Sequence, residues 1–257
     1  MHHNDVCATF CLQKQSTNPS IFVTTDYMGA CDLVFIHAPV FDGPNMPLDI
    51  HVRTKIRYDY SYIETAAIKL GEDVLEVGSY GDYSLNGISN AAMPATIGGY
   101  PLTMDSPSPK ITIFKIQISD SDTIILKNFK DLVAVVLDDT SVQRFKGTLG
   151  MVGSFDKHGK MVGRDGETLI QDPNDFAAEW QVHSDEPMLF NVASGPQYPD
   201  HCQLPEPAMA KGRRLGESVA LDAAEKACAK WAPENREACV HDVMAIGDLE
   251  LATAGAF

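Results

Sequence analysis

Strict alternation of apolar and polar side chains is the feature that most constrains how this chain folds. Apolar residues and threonine occupy every second position of the segment 48–57, and Phe114, Ile116 and Ile118 alternate with polar residues in the same way. Successive side chains of a β-strand point to opposite faces of a sheet, so both segments are predicted to be strands with one buried and one solvated face. The positions expected on the solvated face of the first segment are Asp49, His51, Arg53, Lys55 and Arg57.

Further short β-like runs fill much of the chain before residue 140. They are Ser20–Thr25, Cys31–His37, Tyr60–Leu70, Val74–Gly78, Tyr100–Met104, Thr123–Asn128 and Leu132–Leu137. Turn formers such as Asn86-Gly87 and Gly98-Gly99 separate them. Many short strands at close spacing predict a mainly β fold, an antiparallel sandwich or barrel. A parallel α/β sheet would need crossover helices, which the pattern does not contain.

The C-terminal part of the chain is predicted to contain short helices. One helix is expected to begin near Pro173 with Asp172 as its N-cap. Residues 194–215 are rich in proline and are predicted to be a surface linker. The tail, residues 216–257, has apolar residues at helical spacing and is predicted to form two helices. The helical stripes are Leu221, Ala224, Cys228 and Trp231 after the predicted N-cap Ser218, and Val240, Val243 and Met244 in a helix from Glu234, with Gly247-Asp248 as a break and new cap.

Charge and hydropathy exclude two classes of partner. The formal net charge is −15, and so acidic a surface repels the phosphates of nucleic acid. No window approaches the ~18–20 apolar residues of a membrane-spanning helix, so no membrane span is expected. Residues 1–5 show no basic region followed by an apolar stretch, so no signal peptide is visible at this end of the sequence.

Motifs of catalysis are missing from the sequence. It contains no G-x-S-x-G elbow, no H-E-x-x-H zinc motif and no glycine-rich phosphate-binding loop. The eight histidines are scattered and are interpreted as surface or capping residues, so the chain is predicted not to be an enzyme. A β-sandwich hydrolase of glycans is the alternative, because carboxylates are numerous and the sequence does not give their separation.

Six cysteines permit three bridges without requiring them. Cys228 and Cys239 lie eleven residues apart across a helix break, a spacing that suits a staple between two helices. Cys7 and Cys11 either pair or remain free. Zinc is not expected there, because no second Cys/His pair at ligand spacing completes a site.

The segment 147–182 resembles the end of a von Willebrand factor type D (VWD) domain. The family closes with a glycine-rich "GLCGNFDG" stretch, an acidic loop and then "DP…F…W.V". The matching stretches are Gly147-Thr148-Leu149-Gly150-Met151-Val152-Gly153-Ser154-Phe155-Asp156, Asp165-Gly166-Glu167, Asp172-Pro173-Asn174-Asp175-Phe176 and Trp180-Gln181-Val182. Gly29-Ala30-Cys31-Asp32-Leu33-Val34-Phe35 resembles the early "GxC" strand of the family, and Glu237–Val243 with Gly247-Asp248 resembles the cysteine-containing helical segment that follows such domains.

The resemblance implies a fold, a bridge and a candidate ion site. It implies a VWD-like β domain over residues 27–193, with a bridge between Cys31 and Cys202. It also implies a calcium site in the acidic loop, with Ser154, Asp156 and Asp165 as candidate ligands because Ca²⁺ prefers oxygen donors. Calcium is the one cofactor expected. The implied function is an extracellular or cell-surface structural and adhesive module that contacts proteins or matrix; a calcium-dependent ligand-binding domain is a further alternative.

The sequence departs from the family at three places. Val152 stands where the family has a glycine-flanked cysteine, and Ser154 where it has the asparagine of "NFDG". The opening "GDPH" strand is not recognisable in residues 1–26, so this segment is expected to be divergent or truncated. Some members cleave themselves in that motif, and no self-cleavage is expected without it.

Overall fold

The protein folds into two antiparallel β-sheets packed face to face, with a small helical tail. The computed structural model describes residues 27, 29–43, 46–57, 60–138, 145, 147–154, 160–183, 185–190, 202–203 and 219–253. The run Ser20–Thr25, the N-cap Ser218, most of the linker 194–215, and Cys7 and Cys11 lie outside these residues. The mainly β prediction is confirmed.

The first sheet has six strands in sequential order. They are β1 (Asp32–Ala38), β2 (Leu48–Arg57), β3 (Tyr60–Leu70), β4 (Asp73–Val77), β5 (Tyr83–Leu85) and β6 (Ile88–Ser89). Asn86-Gly87 makes the turn between the last two strands, and both residues have the positive φ that a tight hairpin requires. Sequential antiparallel order means that most of this sheet is built from local hairpins.

The second sheet has five strands in the order β11-β10-β9-β8-β7. They are β7 (Ala95–Ile97), β8 (Tyr100–Ser108), β9 (Ile111–Gln117), β10 (Thr123–Phe129) and β11 (Leu132–Asp138). Gly98-Gly99 forms the first of its turns. Phe114 and Ile116 are buried on β9 as the alternation predicted, and they meet Leu33, Ile50 and Val52 in one core between the sheets.

Three helices follow the sheets. They are α1 (Pro173–Glu179), α2 (Leu221–Cys228) and α3 (Pro233–Ile246), with short 3-10 helices at Ser79–Gly81 and Leu249–Ala252. Asp172 caps α1 as predicted, accepting from the amides of Asn174 and Asp175. Gly247 ends α3 in the left-handed conformation, and Asp248 caps the last 3-10 helix, as predicted.

Two details of the predicted tail are wrong. The residue at the N-cap of α2 is Ala220, which offers no side-chain acceptor. Leu221, placed on the buried stripe, is 53% exposed. Ala224 and Cys228 are buried, so the stripe is correct from its second turn onward.

Candidate functional site

Three separate segments complete the edge of β1, the strand that directly follows Cys31. The first is the closing segment, residues 147–154. The second is the beginning of the cover segment, a name used here for residues 180–183 and 185–190 as a whole. The third is Gln203. His37 and Leu149 exchange backbone hydrogen bonds at 2.8 and 3.0 Å. The amide of Val34 donates to the carbonyl of Trp180, and the amide of Val182 donates to the carbonyl of Asp32, both at 2.8 Å. Ala30 and Gln203 exchange backbone hydrogen bonds at 2.8 and 2.9 Å. Three of the stretches that carry the family resemblance therefore meet here: the early strand itself, the closing segment and Trp180-Gln181-Val182.

The bridge between Cys31 and Cys202 lies at this junction. It joins residues 171 positions apart, and Cys31 is fully buried. Because Gln203 pairs with Ala30, the bridge is flanked by backbone hydrogen bonds. The chain that leaves the cover segment is thereby attached to the beginning of β1.

Glycine at position 150 is what lets the closing segment approach β1. Gly150 has φ +126°, and a Cβ added there would collide with the carbonyl of Phe35. The amide of Val152, where the family has cysteine, donates to that same carbonyl. Val152 is buried in the core, so the position is filled by packing rather than by a bridge.

The acidic loop after the closing segment is organised by its own hydrogen bonds. Asp165 accepts from the amides of Glu167 and Thr168, both at 2.8 Å, and from the Thr168 hydroxyl at 2.6 Å. Ser154 is buried and its amide donates to Lys160 O at 3.0 Å. Asp156, the third candidate calcium ligand, lies outside the described residues. Within the described part of the chain, no three His, Cys, Asp or Glu side chains are grouped to hold a metal ion.

A buried polar cluster lies where the sequence predicted a solvated strand face. Asp32 is fully buried, and Arg53 binds it through Nε at 2.6 Å and Nη2 at 3.1 Å. The ring of Phe190, from the cover segment, lies 4.7 Å from the Arg53 guanidinium. The prediction that His51 and Arg53 are solvated is wrong, because the cover segment packs on this face of β1 and β2.

His51 is the member of this cluster whose buried polar atom has no hydrogen-bond partner among the described residues. It is 6% exposed, and its Nδ1 has no hydrogen-bond partner among the described residues. Burial lowers its pKa to about 4. The nearby carboxylates Asp49, Glu186 and Asp32 act in the opposite direction without cancelling the effect of burial. The folded protein therefore holds this histidine in its neutral form.

Arg164 holds the cover segment in place. Its guanidinium donates to the carbonyls of Glu179 and Gln181, at 2.6 and 2.7 Å, and to the carboxylate of Glu186. The same guanidinium lies 5.3 Å from the centre of the Trp180 ring. Sequence patterns did not reveal this network, because all its members except Glu179 lie outside the regular helices and strands.

The helical tail has its own bridge and its own attachment to the sheets. Cys228 and Cys239 form a disulfide across the break between α2 and α3. Tyr62 on β3 donates to Asp242 at 3.0 Å. Burial raises the pKa of Asp242, against the effect of that hydrogen bond. The tail is thus held to the β domain by non-covalent contacts around a buried carboxyl group.

A second contact of the tail is electrostatic. Asp248 accepts from Lys110 at 2.9 Å and pairs with Lys130. Burial alone would raise the pKa of Asp248, but the hydrogen bonds from Lys130 and Lys110 hold it at about 2. Phe129 and Leu132, at the β10–β11 turn beside Lys130, are buried with the apolar residues of the tail.

One open cleft lies on the face of the first sheet that points away from the core. Its volume is about 180 Å³, and Glu76 and Asp82 are the two carboxylates among its lining residues. The hydroxyl-bearing side chains that line it are Thr65, Tyr83, Ser84 and Ser89. None of these residues was singled out by sequence motifs, since they come together only through strand register.

No model of a known protein family matches the chain, and no curated protein matches it. Among the described helices, none has the length and apolar character needed to cross a lipid bilayer. The family resemblance therefore rests on the residues of the closing segment, the Cys31 strand and the tail.

Proposed function

We propose that this chain is a non-catalytic, extracellular structural or adhesive module of the VWD type that contacts proteins or extracellular matrix. The observation that carries the proposal is the junction at β1. The early "GxC" strand, the glycine-rich closing segment and the Trp-Gln-Val strand lie side by side there, and the Cys31–Cys202 bridge joins the two ends of the domain. Separate stretches that resemble motifs of one family are thus neighbours in space.

The disulfides support an oxidising environment. Bridges persist in secreted and cell-surface proteins and are rare in the reducing cytosol. In the chain-entropy relation, a bridge that closes a loop as long as that between Cys31 and Cys202 stabilises by up to about 5 kcal/mol. A protein built for contact outside the cell, where chaperones are scarce, benefits from such a constraint.

Peptide mapping under non-reducing conditions tests the proposal. Protein secreted from a eukaryotic host should yield one peptide pair joined through Cys31 and Cys202 and another joined through Cys228 and Cys239. The same preparation should adhere to surfaces coated with matrix proteins, and the double variant Cys31→Ser with Cys202→Ser should adhere less. Free thiols at all six cysteines of secreted, oxidised protein, or no adhesion above an albumin-coated surface, would overturn the proposal.

A further inference from the structure

The two parts of the cover segment are attached to the first sheet in different ways. Its beginning is fixed to β1 by the backbone hydrogen bonds of Trp180 and Val182. In its later stretch, residues 185–190, the amide of Glu186 donates to the carbonyl of His183, a bond inside the segment. Within the described part of the chain, this later stretch, called the flap from here on, is therefore held to the sheet by its side chains.

The flap is attached chiefly by its last side chain. Phe190 is 1% exposed, and the centre of its ring lies 4.7 Å from the Arg53 guanidinium and 6.4 Å from the centre of the His51 ring. Met188 is half-buried and packs against the core. The closed position of the flap thus depends on an apolar ring that covers two polar side chains of β2.

The flap belongs to a loop that is anchored at both ends. Before the flap, the amide of Val182 donates to the carbonyl of Asp32 at 2.8 Å. After it, Cys202 is joined to Cys31 by the bridge. Local opening of such a loop costs only the contacts of the loop itself, whereas global unfolding costs those of the whole core. The flap can therefore leave the sheet while the β domain stays folded.

The surroundings of His51 under the closed flap favour a neutral ring. The titratable and charged groups that face it are Asp32 and His37 on β1, Asp49 and Arg53 on β2, Lys69 on β3, Glu186 in the flap and Arg164 in the loop before α1. Each of the three carboxylates in this set already has a basic partner, namely Arg53, His37 or Arg164. The buried Nδ1 of His51 has no hydrogen-bond partner among the described residues, so a protonated ring would be a buried charge without an acceptor for that proton.

From these observations we propose that the flap is an acid-released cover of β1 and β2. Protonation of His51 drives the flap away from the sheet, because water solvates the charged ring only in the open form. Release exposes Phe190 and Arg53 at this face, while the strands and the Cys31–Cys202 bridge keep their positions.

The size of the effect follows from proton linkage. Burial lowers the pKa of His51 from 6.5 to about 4, and opening restores the higher value because it ends the burial. The open form therefore binds a proton that the closed form excludes, so the closed form is progressively disfavoured as the pH falls from 6.5 towards 4. Between pH 8 and pH 5 the opening equilibrium should shift about 30-fold towards the open form.

Oxidation of a methionine on the inner side of the flap measures how often it opens. In Phe190→Met, the new side chain fills the apolar space of the ring, and hydrogen peroxide converts its sulfur to the sulfoxide only when the flap opens. Peptide mapping by mass spectrometry gives the oxidation rate of each methionine separately. The rate at position 190, divided by that of the 39% exposed Met104, should rise about 30-fold between pH 8 and pH 5. In the parent protein, the half-buried Met188 should also oxidise faster at pH 5 relative to Met104.

The double variant Phe190→Met with His51→Leu is the matched comparison. It has no imidazole under the flap, so its relative oxidation rate at position 190 should be equal at pH 5 and pH 8. His183→Gln in the Phe190→Met background removes an exposed histidine close to the flap and should keep the full increase. Met151, which is fully buried in the core, should oxidise slowly at both pH values in all of these proteins.

Three outcomes would overturn the acid-released flap. Equal relative rates at pH 5 and pH 8 in Phe190→Met would show that the flap does not respond to acid. A rise that persists in the double variant would assign the response to carboxylates such as Glu186 instead of His51. Acceleration of Met151 to the same extent would show that acid unfolds the whole domain. Circular dichroism establishes that each variant is folded; if Phe190→Met is not, Met188 in the parent and in His51→Leu decides by the same comparison.

Discussion

Replacing His51 by leucine should reduce the loss in the free energy of unfolding that occurs as the pH falls from neutral to acid. His51 is buried beneath Phe190 in its neutral form, and its Nδ1 has no hydrogen-bond partner among the described residues. Its cross-strand neighbours are Val34 and Ala67, so an apolar side chain of similar volume suits the site. At neutral pH we expect the free energy of unfolding of His51→Leu to lie within about 1 kcal/mol of the parent, because no buried hydrogen bond is lost.

The magnitude follows from the difference between two pKa values of His51. Its pKa is 6.5 in the unfolded chain and about 4 in the folded protein, lowered by burial. Between these values the unfolded chain binds a proton that the folded protein excludes, so the free energy of unfolding falls as the pH falls. Linkage gives a loss of about 2 kcal/mol between pH 8 and pH 5, and about 3 kcal/mol by pH 4. Below pH 4 the further loss from this residue is only about 0.4 kcal/mol, because both states become protonated.

Urea unfolding followed by tryptophan fluorescence at pH 8, 6.5, 5 and 4 measures the effect. Carboxylates titrate in the parent and the variant alike, so the quantity of interest is the difference between the two curves. That difference should change by about 3 kcal/mol in favour of His51→Leu between pH 8 and pH 4. His183→Gln, at an exposed histidine of the cover segment, is the matched control and should follow the parent. Parallel curves for His51→Leu and the parent would refute the burial of a neutral histidine.

Three further perturbations test other parts of the structure. Replacing Cys228 and Cys239 by serine should lower the stability of the tail by up to about 3 kcal/mol, seen as faster hydrogen exchange in α2; unchanged exchange would contradict a structural role of the bridge. Asp165→Asn should lower the free energy of unfolding by about 1 kcal/mol in EDTA, because it weakens charged hydrogen bonds; a melting temperature that Ca²⁺ raises in the parent alone would instead assign Asp165 to an ion. Gly150→Ala should lower the free energy of unfolding, measured by urea titration, by more than about 2 kcal/mol. Gly147→Ala, where the added Cβ meets nothing within 4 Å, should lower it by about 1 kcal/mol. Equal losses in the two variants would refute the close approach of the closing segment to β1.

The elements that the sequence predicted well are those decided by neighbours along the chain. Alternation identified β2 and the part of β9 that holds Phe114 and Ile116, and the turn at Asn86-Gly87 is dictated by residues that tolerate positive φ. Asp172 could be placed as an N-cap because its partners are two and three residues away. The break at Gly247-Asp248 has the same local origin.

The sequence could not predict which strand faces are covered. Period-two alternation predicts that β2 has a polar face, but it does not predict what packs on that face. The residue that covers His51 and Arg53 is Phe190, more than 130 positions further along the chain. From the sequence alone, the buried ion pair of Arg53 with Asp32 cannot be distinguished from two exposed charged residues. The cleft residues were missed for a related reason, since Glu76, Ser84 and Ser89 become neighbours only when the register of three strands is known.

The outer face of the first sheet therefore has two halves with different physical origins. The half over β1 and β2 is closed by long-range contacts, namely the cover segment, the Arg164 network and the Cys31–Cys202 bridge. The half over β4 to β6 carries the open cleft and consists of sequential hairpins, whose register depends on local turns. Loss of the bridge would thus loosen the cover over His51 before it altered the cleft.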